Sequence, residues 1–162
     1  MPLPPASGDP ASSSRRDPST PWWAGLERRG EMGRRFVEFD WAGTELGPLD
    51  AWPLELRVAV DLCLGTLFPT SLRVGDTLRM VYNDACREVY GEARFQDALG
   101  QPAADVWPET TAQVGDLIAT VKETGRPYFF SDRPLYLNRV VDSEECYFTL
   151  CFSALDAEDG SV

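Results

Sequence analysis

The stretch LRMVYNDACREVYG, residues 78–91, sets the architecture of this chain. Its first five residues mix β-branched and aromatic side chains in partial alternation, which predicts a short strand. Asn83 and Asp84 carry oxygens that can accept hydrogen bonds from the first N–H groups of a helix, so we predict a helix over residues 85–90. Gly91 is a natural end for that helix. A strand that leads directly into a short helix turns the chain back across the edge of a sheet and begins to enclose an interior.

Further elements are predicted on both sides of this stretch. A strand over Pro69–Val74 precedes a tight turn at Gly75-Asp76, and the stripe of apolar residues before Gly125 predicts a long helix over 109–124. Short helices are predicted over 22–28, 31–39 and 95–99. Strands are predicted over 128–131 and 146–154, joined by a polar loop that contains Asn138, Asp142, Ser143, Glu144 and Glu145.

Residues 54–67 fit two periods. Apolar side chains recur at every second position, as in a strand, but also along one stripe of a helix. Pro53 suits the first turn of a helix, and the Leu-Glu-Leu-Arg-Val-Ala composition favours a helix, so we predict a helix. Because this helix is apolar almost all round, it should be covered on more than one side.

Composition excludes several classes of function. The net charge of −11 argues against sequence-independent binding to nucleic acid or to an anionic membrane. The chain contains no histidine, which removes a histidine triad, a histidine phosphoacceptor and most catalytic zinc sites. No signal peptide or membrane-spanning stretch is apparent, so we expect a cytoplasmic protein. Because histidine is absent, we expect no metal site. The four cysteines have no C-x-x-C spacing; they are interpreted as buried apolar residues, with redox sensing as the alternative.

The first 20 residues are rich in proline and serine, and we expect them to be disordered. We therefore divide the chain into a tail over 1–20, an N-terminal extension over 21–52 and a main domain over 53–162.

Three groups of motifs, taken together, resemble one family. The first is Asp76-x-x-Arg79-x-x-Tyr82-Asn83-Asp84-Ala85 followed by a short helix and Gly91. Upstream stand Phe39-Asp40-Trp41-x-x-Thr44-x-Leu46-Gly47-Pro48 and Trp52-Pro53-x-x-Leu56; downstream stand Ala98-Leu99-Gly100-Gln101-Pro102, Val106-Trp107-Pro108-Glu109 and Tyr147-Phe148-Thr149-Leu150. Residues 31–160 thus resemble a PAS domain, of the subgroup attached to bacterial histidine kinases and PP2C-type phosphatases.

The resemblance implies an α+β fold, with short helices on one face of an antiparallel sheet and an N-terminal helix on the other. The PAS sheet has five strands, and its last strand lies in the centre. In this chain that strand would begin at about residue 159, so we expect either a fragment that lacks it, which we favour, or another segment in the gap.

The resemblance also implies a sensory module rather than an enzyme, and no constellation of acids here predicts catalysis. It implies a homodimer or an effector domain as partner, with Leu54, Val58 and Leu62 as interface candidates. Flavin and haem are not expected, because the flavin-binding cysteine motif and histidine are both absent. Either a small apolar molecule binds inside or the side chains simply fill the core. The pocket candidates are Leu72, Met80, Tyr82, Phe95, Val106, Trp107, Ile118, Phe129, Leu150 and Phe152.

Overall fold

The computed structural model describes residues 19–137 and 144–155. Its helices are α1 (Glu31–Glu38), α2 (Leu54–Gly65), α3 (Arg87–Tyr90), α4 (Glu92–Asp97), α5 (Ala103–Val106) and α6 (Pro108–Thr124). Its strands are β1 (Ser71–Val74), β2 (Arg79–Tyr82), β3 (Tyr128–Leu137) and β4 (Glu144–Phe152). Short 3-10 turns cover Trp22–Arg29, Trp41–Gly43, Leu49–Ala51 and Asp84–Cys86. The predicted α+β class is confirmed, while the predicted disordered tail falls almost wholly outside the described residues.

The strand-to-helix transition at residues 78–91 is confirmed. Strand β2 passes through one 3-10 turn into α3, and Gly91 ends α3 with a φ of 74°. The strand begins one residue later than predicted because Leu78 belongs to the preceding turn. Its φ is 55°, and its N–H donates to the Gly75 carbonyl over 3.1 Å.

The four described strands form two separate antiparallel hairpins. In the first hairpin, Ser71 lies opposite Tyr82 and Arg73 lies opposite Met80. The far edge of β2 bonds to the segment before α5, where the Met80 N–H donates to the Gln101 carbonyl. Among the described residues, no strand pairs with the far edge of β1 or joins the two hairpins.

The second hairpin is longer than predicted. Strand β3 continues to Leu137, and β4 begins at Glu144, so part of the expected loop is strand; residues 138–143 lie outside the described part of the chain. The register shifts between Phe130 and Arg133, where Asp132 has a φ of 52°. Helix α6 supports this hairpin, because the Gln113 amide bonds to both the N–H and the carbonyl of Tyr136. The cross-strand pairing, which no local pattern reveals, explains the extra length.

Residues 54–65 form a helix, so the helical period was the correct choice over the strand period. One side of α2 packs against the β1–β2 hairpin through Ala59, Val60, Cys63 and Leu64, all of which are buried. The opposite side leaves the three interface candidates in solvent. Helix α4 is shifted from its predicted place: it begins at Glu92, directly after Gly91, and ends at Asp97.

The N-terminal residues pack into the same hydrophobic core as the rest of the chain. Phe36, Trp41 and Trp52 are almost completely buried and form close ring contacts, with Phe36 and Trp41 centroids 5.0 Å apart. The indole N–H groups are satisfied by backbone carbonyls, such as that of Phe36 for Trp41. This aromatic cluster explains why the N-terminal extension over residues 21–52, called the lead-in below, is rich in tryptophan.

Candidate functional site

Four aromatic side chains form the centre of the domain, between β2 and helices α3 to α5. The Tyr82 ring contacts the rings of Tyr90 and Phe95 at centroid distances of 4.8 and 5.6 Å, and Trp107 contacts Tyr90 at 5.2 Å. The Tyr82 hydroxyl donates to the Phe95 carbonyl over 2.6 Å. Burial raises the pKa of the Tyr82 hydroxyl far above its usual value, so this residue acts as a neutral donor.

The structure brings most of the pocket candidates to this interior. Met80, Tyr82, Phe95 and Trp107 are buried, and all four belong to the main core. Val106, Ile118 and Leu150 are partly buried against that core. Phe152 is partly buried and its ring contacts that of Phe130. Leu72 corrects our assignment: it lies opposite Val81, so it projects from the face of the first hairpin opposite to that of Met80 and Tyr82. Whether these side chains contact a ligand or only fill the core stays a prediction.

Phe129 is a further exception and also corrects our assignment. It lies opposite Cys151, on the face of the second hairpin that points away from the core, and its side chain is 64 % exposed. The inward position belongs to its neighbour Phe130, which lies opposite Leu150. Along β4, exposed and partly buried residues alternate, and the pocket candidates Leu150 and Phe152 fall on the partly buried face. In β3 the inward and outward positions are displaced by one residue from our assignment.

The surface carries a depression of about 400 Å³ beside α4 and α5. Charged side chains line it, including Arg94, Asp97 and Asp105. Of the pocket candidates, only Val106 reaches it. This depression therefore does not correspond to the interior that the sequence predicted.

Asn83 is a buried cross-link rather than the helix cap that we predicted. Only 1 % of it is exposed, and it makes no capping bond to the turn that follows. Its oxygen accepts from the Thr70 N–H over 3.2 Å. Its amide nitrogen donates to the carbonyls of Thr66 and Phe68 over 2.9 and 2.7 Å. One side chain thus fastens the loop between α2 and β1 to the end of β2.

Asp84 does cap a helix, but a distant one. Its carboxylate accepts from the backbone N–H groups of Glu31 and Met32, over 2.9 and 2.7 Å, at the start of α1. The approach requires glycine at position 30, where φ is 103° and a Cβ would lie 2.1 Å from the Asp84 carboxylate. The residues after β2 therefore hold both α1 and α2.

Two buried thiols share one backbone acceptor in the same region. Cys63 and Cys86 both donate to the Thr70 carbonyl, over 3.3 and 3.4 Å. Burial raises the pKa of Cys63 to about 12, and it also raises the pKa of Cys86. A thiol with a raised pKa carries little thiolate, so this pair is better suited to packing than to redox chemistry.

Arg79 links the lead-in to the core. Its guanidinium bonds to Glu45 over 2.5 Å and to the Gly100 carbonyl over 2.6 Å. The hydroxyl of Thr77 also donates to Glu45. The hydrogen bond from Thr77, followed by that from Arg79, lowers the pKa of the Glu45 carboxyl.

Sequence reasoning missed two polar groups that face the interior, Tyr90 and Arg73. The Tyr90 side chain is 5 % exposed, and its hydroxyl has no hydrogen-bond partner among the described residues. Arg73 lies opposite the buried Met80. The only available signal was the alternation along β1, which places an arginine at an inward position of a four-residue strand.

Among the described residues, no helix has both the length and the apolar character needed to cross a membrane. No group of three potential metal-ligating side chains comes together within the described ranges.

Comparison with known proteins agrees with this geometry. The family model described as PAS fold matches residues 73–162, from β1 to the last residue of the sequence. No curated protein matches the chain. The family match covers more than half of the chain, and the described elements form the mixed helix and strand arrangement of that fold. The chain belongs to the PAS family.

Proposed function

We propose that this PAS domain is a cytoplasmic sensory module of bacterial signal transduction, which dimerises through α2 and passes packing changes to an effector. Membership of the PAS family supports a sensory or protein-interaction role. The observation that carries the proposal is the two-sided apolar character of α2. One side packs on the β1–β2 hairpin, while Leu54, Val58 and Leu62 are 70, 51 and 69 % exposed on the other.

The three exposed side chains are spaced at i, i+4 and i+8, so they form one stripe along the helix. The loop that follows exposes Leu67 and Phe68 as well. Exposed apolar residues that cluster, rather than scatter, are typical of protein interaction sites. A second copy of the chain is the occupant that we propose, because two such stripes on antiparallel or parallel helices can cover each other.

Hydrogen bonds connect the interior to this surface. Tyr82 lies in the aromatic centre, and the next residue, Asn83, holds the loop at the end of α2. Asp84 then holds the start of α1. A change of packing around Tyr82 would therefore alter the positions of both helices.

In this mechanism the domain populates two arrangements of α2, and binding shifts their populations. Ligand or partner binding would act only through a difference in affinity for the two arrangements. The effector that we propose is a histidine kinase or a PP2C-type phosphatase, in keeping with the resemblance of the lead-in motifs. No catalytic step in the domain itself is part of this proposal.

The oligomeric state of matched variants tests the proposal. Sedimentation analysis should show a dimer for the unaltered chain and a monomer for Leu62→Lys. The control is Phe129→Lys, which places the same charge at a similarly exposed apolar position on the second hairpin; it should remain dimeric. A monomeric unaltered chain, or a dimer disrupted by Phe129→Lys and not by Leu62→Lys, would contradict the role of α2.

A second candidate function is a dimerisation module that binds no ligand. It is favoured by the close packing of Met80, Tyr82 and Phe95, none of which has measurable exposure. Native mass spectrometry separates the two functions: a retained small molecule supports the sensory module, and a bare dimer supports the interaction module.

A further inference from the structure

The inward face of β1 carries polar side chains. Ser71 lies opposite Tyr82 and Arg73 lies opposite Met80. Residues directly opposite in an antiparallel pair project from the same face of the sheet. Ser71 and Arg73 therefore project to the face on which Tyr82 meets the aromatic centre.

The hydroxyl of Tyr90 reaches the same place and has no hydrogen-bond partner in the described part of the chain. Burial raises the pKa of this hydroxyl, while the nearby positive charge of Arg73 opposes that rise. The side chains of Ser71 and Arg73 lie near enough to this hydroxyl to lower its pKa as weak hydrogen-bond partners, although neither reaches it with the distance and angle of a normal hydrogen bond. A buried polar atom without a partner is rare in folded proteins and suggests a missing ligand atom or water.

The guanidinium of Arg73 has no charged partner among the side chains that the structure describes. Its hydrogen bonds of normal geometry stay within its own strand, to the Ser71 hydroxyl over 3.1 Å and the Leu72 carbonyl over 3.4 Å. Within residues 19–137 and 145–155, no carboxylate lies at ion-pair distance from it, although Arg79 and Arg94 each have one. An inward-facing cation without an anion is unexpected in a chain with a net charge of −11.

We propose that Arg73, Ser71 and Tyr90 bind the carboxylate group of a small molecule with an apolar body. A guanidinium offers two parallel N–H donors that match the two oxygens of a carboxylate. The two hydroxyls provide further neutral donors. A single arginine suits one negative charge better than the two of phosphate, and an apolar body suits the aromatic surroundings of the three groups, where the Tyr90 ring contacts that of Tyr82.

The site can be reached from solvent. Ser71 is exposed and Arg73 is only partly buried. Both stand on β1, whose far edge pairs with no other described strand. This inference rests on the proposed sensory function, for which it names the class of ligand.

Calorimetric titration with sodium benzoate tests the site, with sodium chloride and sodium phosphate at equal ionic strength as comparison salts. Benzoate should bind the unaltered chain saturably, whereas phosphate and chloride should not. Arg73→Met should weaken benzoate binding at least tenfold, and Tyr90→Phe should weaken it severalfold. Arg73→Lys keeps the charge without the planar pair of donors and should also bind more weakly than the unaltered chain. The matched control is Arg126→Met, which removes a positive charge from an exposed position and should leave binding unchanged.

Three results would overturn the inference: no saturable binding of benzoate, equal binding of phosphate, or equal affinity in Arg73→Met. If a carboxylate of the chain itself holds Arg73, the unaltered chain will not bind benzoate and Arg73→Met will unfold at a lower temperature; that result also overturns it. The proposed function is judged separately, because the oligomeric state of Leu62→Lys does not depend on benzoate. Circular dichroism identifies any variant that fails to fold. If Arg73→Met does not fold, the benzoate affinity of Arg73→Lys decides whether Arg73 binds the carboxylate.

Discussion

Replacing Asn83 by alanine should destabilise the domain far more than a typical surface substitution. Three backbone groups lose their partners: the Thr70 N–H and the carbonyls of Thr66 and Phe68. At about 1 kcal/mol for each hydrogen bond, the expected loss in free energy of unfolding is about 3 kcal/mol. For a chain of this size, that corresponds to a lowering of the melting temperature by roughly 6–12 °C.

Asn83→Asp separates the hydrogen bonds from the volume of the side chain. Aspartate keeps an oxygen for the Thr70 N–H but turns the donor into a second acceptor, which faces two carbonyl oxygens. We therefore expect this variant to lose at least as much stability as the alanine variant, despite its nearly identical shape.

Urea titration followed by tryptophan fluorescence measures both losses. The reasoning would be refuted if Asn83→Ala lost less than about 1 kcal/mol, the net value of a single hydrogen bond. It would also be refuted if Asn83→Asp were as stable as the unaltered chain at neutral pH, since the two donor bonds would then contribute nothing.

Two further predictions concern the links between the lead-in and the core. Asp84→Ala removes the cap of α1 and should cost about 0.5–2 kcal/mol, the usual range for a lost N-cap, as measured by thermal unfolding; an unchanged midpoint would show that the cap does not hold α1. For Glu45 the folded-state pKa is lowered, so its charged form stabilises the fold above the unfolded-state pKa, and this stabilisation is lost as the pH falls through the folded-state pKa. Glu45→Gln should therefore unfold at a lower temperature than the unaltered chain at neutral pH, with the difference closing in acid; a difference independent of pH would contradict the assignment.

Local sequence patterns were sufficient to predict the helices and strands whose hydrophobic periodicity arises from their own residues. The strand and helix around residues 78–91, the helix α2 and the helix α6 were all predicted with nearly correct bounds. The reason is that hydrophobic periodicity, a proline at the start and a glycine at the end act within a few residues of each other. The two faces of β4 followed from the same alternation.

Partners distant in the sequence could not be predicted in this way. The chemistry of Asp84 as a helix cap was foreseen, but the helix that it caps begins more than 50 residues earlier. In the same way, pairing between β3 and β4 lengthened β3, moved the start of β4 from residue 146 to residue 144, and placed Phe130, rather than Phe129, towards the core. A carboxylate can accept from any backbone N–H that it meets, and an amide can bond to either an N–H or a carbonyl, so the partner of each is chosen by packing. Composition and period thus decided which residues form helices and strands, whereas the contacts between elements decided where Asn83, Asp84, Arg73 and Tyr90 act.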